Sequence, residues 1–202
     1  DKGNILFTVL CDGMGGLEKG EVASATIINA FSTWFENELP YQLSKSNAYD
    51  DIRYCWGRMI KEQNQNIADY GRKNQIQLGS TITAMLFFED GKYLIGHVGD
   101  SRAYRVTETV IEMLTQDQTV VAREIKLGRL TLEEAERDPR RNVLLQCIGA
   151  SKIVEPDFVE GNYASGECYM LCSDGFRHVV STDEIKEAFA PSQSPDEKAM
   201  KE

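Results

Sequence analysis

Long hydrophobic runs, an excess of positive charge and paired-cysteine motifs are all missing from this 202-residue chain. No apolar stretch approaches the roughly 20 residues that cross a bilayer as a helix. The start carries no signal-peptide pattern. Lys and Arg number 22 against 32 Asp and Glu, a formal net charge of −10. That balance argues against a protein that binds a phosphate backbone, which depends on a basic patch, so no nucleic-acid partner is expected. The five cysteines, Cys11, Cys55, Cys147, Cys168 and Cys172, form neither Cys-x-x-Cys pairs nor Cys/His zinc spacing. Their odd count and apolar settings point to reduced, buried thiols in a cytoplasmic protein, with no membrane in this chain.

What is present is a repeated acidic turn. The apolar run Ile5 to Leu10 ends in Cys11-Asp12-Gly13-Met14-Gly15-Gly16. Such a run reads as a buried strand. The glycines behind it allow backbone conformations and close approaches that side chains forbid. A second apolar strand, Tyr169 to Cys172, leads into Ser173-Asp174-Gly175. A third, Tyr93 to Val98, leads into Gly99-Asp100-Ser101-Arg102. One Asp-Gly turn is ordinary punctuation. Three acids at the ends of three hydrophobic strands suggest one acidic edge able to hold a hard divalent cation, Mg²⁺ or Mn²⁺.

At 202 residues with 42% hydrophobic content, the chain is expected to form a single domain, 1–202, with a sizeable core. Strand 4–10 comes first. Glu21 to Leu39 reads as a helix, with Val22, Ala23, Ala25, Ile27, Ala30, Phe31 and Trp34 as its apolar stripe and Pro40 as its limit. Tyr41 to Tyr49 reads as a loop. Asp50 to Arg72 reads as a second helix that buries Ile52, Trp56, Met59, Ile60, Ile67 and Tyr70. Thr81 to Phe88 and Lys92 to Val98 form a hairpin across Glu89-Asp90-Gly91. Strands follow at Ser101 to Val106 and Val110 to Leu114. Gln116 to Asn142 is charged and helix-prone, with a capping box at Thr131 and Glu134. Pro156 to Tyr163 and Glu167 to Cys172 return to strand. Ser181 and Glu184 cap a last helix through Phe189, and the tail is helix-prone only at its end. Two adjacent helices followed by neighbouring strands indicate an α+β fold with antiparallel sheet.

Five ordered motifs carry a family resemblance: Asp12-Gly13-Met14-Gly15-Gly16, Gly79-Ser80-Thr81, Val98-Gly99-Asp100-Ser101-Arg102, Leu114-Thr115-x-Asp117 and Ser173-Asp174-Gly175. In order and spacing they resemble the bacterial type-2C (PPM) metal-dependent serine/threonine protein phosphatases. Gly128-x-x-Thr131-x-Glu133-Glu134-Ala135, Asn142 and Ile148-Gly149 add to the likeness, and Met14 is similar to bacterial members where others carry His. The resemblance implies two stacked antiparallel β-sheets flanked by helix pairs. It implies hydrolysis of phosphoserine and phosphothreonine in proteins by a metal-activated water, with two Mg²⁺ or Mn²⁺ ions and a weaker third. It assigns Asp12 as the bridging ligand, the Gly13 carbonyl and Asp174 as further ligands, and Asp100 as ligand of a third ion. It likens Gln116 to Arg137 to a mobile flap. The implied partners are phosphorylated proteins and a cognate serine/threonine kinase, in a bacterial signalling role.

Some residues stand beside that pattern. His178 sits where relatives often have Asp; it is either a possible third-metal ligand or a surface residue with no such role. His97 is expected to pack. Arg102 is expected to support the Asp100 turn, and Arg140 and Arg141 to be a solvated pair. Cys11 and Cys172 lack the surroundings of a thiol nucleophile. The chain also resembles a catalytic domain without the family's usual first and last strands. From that follow two expectations: weak metal occupancy, and as an alternative function a non-catalytic phosphoprotein-binding or regulatory domain on the same fold.

Overall fold

The structure, a computed structural model, describes residues 5–14 and 19–193. Gly15, Gly16 and the tail expected to turn helical at its end lie outside them. Strand β1 (Leu6–Leu10) precedes helices α1 (Gly20–Asn37), α2 (Leu39–Leu43) and α3 (Ala48–Asn74). Strands β2 (Ile82–Phe87), β3 (Lys92–Val98), β4 (Arg102–Val106) and β5 (Ile111–Met113) follow. Next come α4 (Val120–Lys126), α5 (Leu132–Arg137), β6 (Asp157–Asn162), β7 (Cys168–Cys172), α6 (Asp174–Arg177) and α7 (Thr182–Phe189).

Among the described residues the strands make two antiparallel sheets, ordered β1-β2-β3-β6 and β5-β4-β7. The period-two alternation of β2 and β3 fixes how they stack. Ile82, Ala84, Leu86, Leu94 and Val98 face the helices, where Ile27, Phe31, Trp34, Trp56 and Ile60 cover them. Met85, Phe87, Tyr93 and Ile95 face the second sheet and meet Ala103, Tyr169 and Leu171. On the far side of that sheet Tyr104, Val106 and Cys172 pack on Ile185 of α7. Helices, two sheets and a helix thus form the expected α+β sandwich. Fully burying one side chain such as Ile27 or Phe31 contributes on the order of 2 kcal/mol, so the α1 and α3 stripes are the main tie between helices and sheet.

Local chemistry sets the element ends. The capping boxes at Thr131–Glu134 and Ser181–Glu184 form as the sequence indicates. The expected loop after α1 is partly helix: Pro40 opens α2, since a proline in the first turn gives up no hydrogen bond. The buried Gln42 of α2 accepts from Trp34 Nε1 at 2.9 Å. Two stripe residues are corrected. Ala25 and Tyr70 are exposed, because each lies at the margin of its helix's buried face.

Candidate active site

Past Leu10 the first strand keeps pairing without regular ladder geometry. The Thr81 N–H donates to the Asp12 carbonyl at 2.9 Å, and the Met14 N–H donates to the Gly79 carbonyl at 3.1 Å. Thr81 Oγ1 accepts from the Asp12 N–H at 3.0 Å and meets Ser101 Oγ at 2.9 Å. Ser80 Oγ donates to the Asp12 carbonyl at 3.0 Å. These bonds engage the backbone of Asp12 rather than its carboxylate. The start of α1 lies directly on this turn: a Cβ on Gly20 would come 2.8 Å from the carbonyl carbon of Gly13.

The second acid comes from the β3–β4 turn. Gly99 adopts φ +113°, and a Cβ there would lie 2.6 Å from Thr81 Cγ2, so only glycine lets the turn close on the Asp12 anchor. His97 is fully buried beneath it. Its Nε2–H donates to the Gly99 carbonyl at 3.1 Å, and its Nδ1 accepts from Thr83 Oγ1 at 3.0 Å. Burial pushes the imidazole below its ordinary pKa, so it packs as a neutral ring, as expected from sequence. The Gly99 N–H donates to Gln118 Oε1 at 2.9 Å, and the Gln118 N–H donates to the Gly99 carbonyl at 2.8 Å. That pair fastens the start of the 116–137 segment to the turn. The third acid, Asp174, opens α6 directly after β7.

All three acids reach one cleft of about 240 Å³, walled also by Thr81, Asn142 and Leu144. Asp12 and Asp174 both line it, and Asp174 is the neighbouring charge that acts on the Asp12 carboxyl. Burial first, and then the charge of Asp174, raise the Asp12 carboxyl above its ordinary value. Asp100 is pushed from 3.8 to about 6, again by burial first and then by Asp174, with Arg177 opposing. Two facing carboxylates are stable together only with a proton or a cation between them. The donor set is oxygen only, carboxylates beside a bare glycine backbone, which suits Mg²⁺ or Mn²⁺ rather than a soft metal. Among the described residues no three Asp, Glu, His or Cys side chains close into a ready-made metal cage. A larger apolar groove of about 1070 Å³ lies between β1 and β7, but Glu167 is its single acid.

Beside the cleft, His178 takes the surface position that the sequence left open, and Arg102 departs from its expected partner. His178 is exposed and is not among the cleft residues; only its N–H returns to the Asp174 carbonyl, at 3.1 Å. The turn of α6 brings the backbone of residue 178 back to 174 while its side chain stays in solvent. The residue beside Asp100 is Arg177, whose Nη2 donates to the Asp100 carbonyl at 2.9 Å. Arg102 does not support Asp100; it grips Asp117 through Nε at 2.8 Å and Nη2 at 2.7 Å. Arg140 is exposed and paired with Asp138, in keeping with a solvated residue. Cys11 is held up to about 12 by burial, which keeps its thiol protonated and inert. Gly20 and Arg177 are the two residues that sequence reasoning passed over. A glycine opening an amphipathic helix was a usable signal for the first; nothing in the sequence marked the second.

Residues 1–200 match the family described as Protein phosphatase 2C. A protein phosphatase 2C-type protein of Streptococcus pyogenes is 32% identical over 200 residues, covering 98% of this chain and 78% of that protein. The solved structure of the serine/threonine phosphatase Stp1 from Staphylococcus aureus superposes with TM-score 0.80 at 32% identity, over 90% of this chain and 70% of that one. The catalytic domain of the serine/threonine protein phosphatase PstP, solved with two manganese ions, gives TM-score 0.73 at 28% identity, over 96% and 79%.

Proposed function

The chain belongs to the protein phosphatase 2C family, and from that membership we propose that Asp12 and Asp174 are the acids at which it hydrolyses phosphoserine and phosphothreonine in proteins. It is a serine/threonine protein phosphatase of the metal-dependent class. The observation that carries the site assignment is the convergence of Asp12 and Asp174, from two different strand ends, on one cleft of about 240 Å³.

In this reading Asp12, Asp174 and the Gly13 carbonyl would hold the divalent ions, beside Asp100. Mg²⁺ or Mn²⁺, when bound, activates water and neutralises charge on the phosphoryl oxygens. The chain's own part is positioning. The Thr81 and Ser80 bonds to the Asp12 backbone fix the carboxylate before substrate arrives, so little reorganisation is left for the reaction. Gln118 ties the 116–137 flap to the Gly99 turn, and Asn142 and Leu144, beyond the end of that segment, form part of the cleft wall. Met14, at the same cleft, has no proton to give or take, and Cys11 stays a thiol, so neither serves as acid, base or nucleophile.

Phosphorylated targets of a serine/threonine kinase are the natural partners, and a cytoplasmic setting is supported by five free cysteines. Among the described residues no helix is long and apolar enough to cross a membrane. The test is hydrolysis of a phosphothreonine peptide with and without Mn²⁺ by the chain, Asp12→Asn and Asp174→Asn. Activity that needs Mn²⁺ and falls at least a hundredfold in both variants supports the assignment; full activity in either removes it.

A further inference from the structure

Four charges form a closed set beside the cleft. Arg102 grips Asp117 with two donors, at 2.8 and 2.7 Å. Arg177 reaches the same Asp117, Nη1 to Oδ2 at 3.8 Å, and turns Nη2 to Asp100, 2.9 Å from its carbonyl and 3.7 Å from Oδ2. The side chains of Arg177, Asp100 and Asp117 are 15%, 13% and 14% exposed, so solvent screens this set only in part. Two carboxylates meet two guanidiniums, and the set is neutral. Among the described residues no ion pair joins Asp12 or Asp174, so the uncompensated charge of the cleft is concentrated on that pair.

Arg177 also holds a buried donor, Nε, with no partner. A guanidinium is a fixed charge with donors splayed in a plane, which lets it span two acceptors as an ammonium cannot. Asp117 directly precedes Gln118 and the helix α4, so whatever holds Asp117 holds the root of the flap.

We propose that Arg177 is a positioning residue of this phosphatase: a built-in cation that ties Asp100 to the flap root at Asp117 and withholds the Asp100 carboxylate from a divalent ion. Two consequences have opposite signs. Loss of the charge leaves the cleft more negative and tightens cation binding. Loss of the bridge frees the flap root. A residue that merely stabilised the fold would weaken both.

The inference rests on the function proposed above for where the cation sits, but its effect on the flap does not. The experiment compares Arg177→Gln and Arg177→Lys with the parent chain. Amide hydrogen exchange over 118–126 is measured on metal-free protein, and Mn²⁺ binding is measured by calorimetry. Arg177→Gln is expected to exchange about tenfold faster in the flap root and to bind Mn²⁺ about three- to tenfold more tightly. Arg177→Lys is expected to return Mn²⁺ affinity to the parent value while exchange stays fast. Unchanged exchange in Arg177→Gln, or Mn²⁺ binding equal to or weaker than the parent's, overturns the proposal. If the parent itself binds no Mn²⁺, the proposed function fails, and the exchange comparison alone decides for or against Arg177.

Discussion

Gly13 and Gly20 touch through their backbones, the first helix starting on the turn that carries Asp12: a Cβ on Gly20 would lie 2.8 Å from the Gly13 carbonyl carbon and 2.9 Å from the Met14 carbonyl oxygen. Neither neighbour is a flexible side chain, so the turn or the helix must move. Gly20→Ala is therefore expected to cost about 1–3 kcal/mol of stability and to lower phosphatase activity by shifting Asp12. Gly57→Ala, in the middle of α3, meets only Phe158 at 3.8 Å and is expected to gain about 0.5–1 kcal/mol. Thermal unfolding of the two variants checks both.

The raised Asp100 carboxyl makes metal-free stability depend on pH in a definite direction. Its folded pKa is about 6 against an ordinary 3.8, so between those values the folded chain binds more protons than the unfolded one. Stability attributable to this group is highest at the acidic end and is lost as pH rises through about 6, by at most about 3 kcal/mol. Denaturant unfolding of chelator-treated protein at pH 4.5 and 6.5, referred to Asp100→Asn, should show that loss. A parent chain that gains on the variant as pH rises would show the assignment to be wrong.

Cys11 adjoins Asp12, yet its buried thiol is pushed up to about 12. Cys11→Ala should keep activity within about threefold once corrected for folded protein, because no thiolate takes part. Complete loss of hydrolysis in a well-folded Cys11→Ala chain would point instead to thiol chemistry.

Much of this architecture was legible from the residues. The 3.6-residue stripe from Ala23 to Trp34, the Asp90-Gly91 hairpin and both capping boxes are local patterns, and local patterns survive folding. Asp12, Asp100 and Asp174 were legible as three strand ends that share glycine, and they meet in one cleft. What escaped depends on which way side chains turn. The single turn of α6 is readable as a turn, but that Arg177 rather than His178 faces Asp100 needs the chain in three dimensions. The same holds for Arg102, whose spacing from Asp100 suggested a local support but whose fork fits Asp117, fifteen residues on. Pro40 marks an end in the sequence and is also a beginning in the structure, since proline limits one helix and fits the first turn of the next.

The pairing of Asp12 with Asp174 is tested most directly by diffraction at the manganese absorption edge from crystals of this chain grown with Mn²⁺. Anomalous density bonded to both carboxylates, and absent at that place in Asp12→Asn crystals, is the result expected. Manganese bound away from Asp12 and Asp174, in a chain that hydrolyses phosphothreonine, would contradict it.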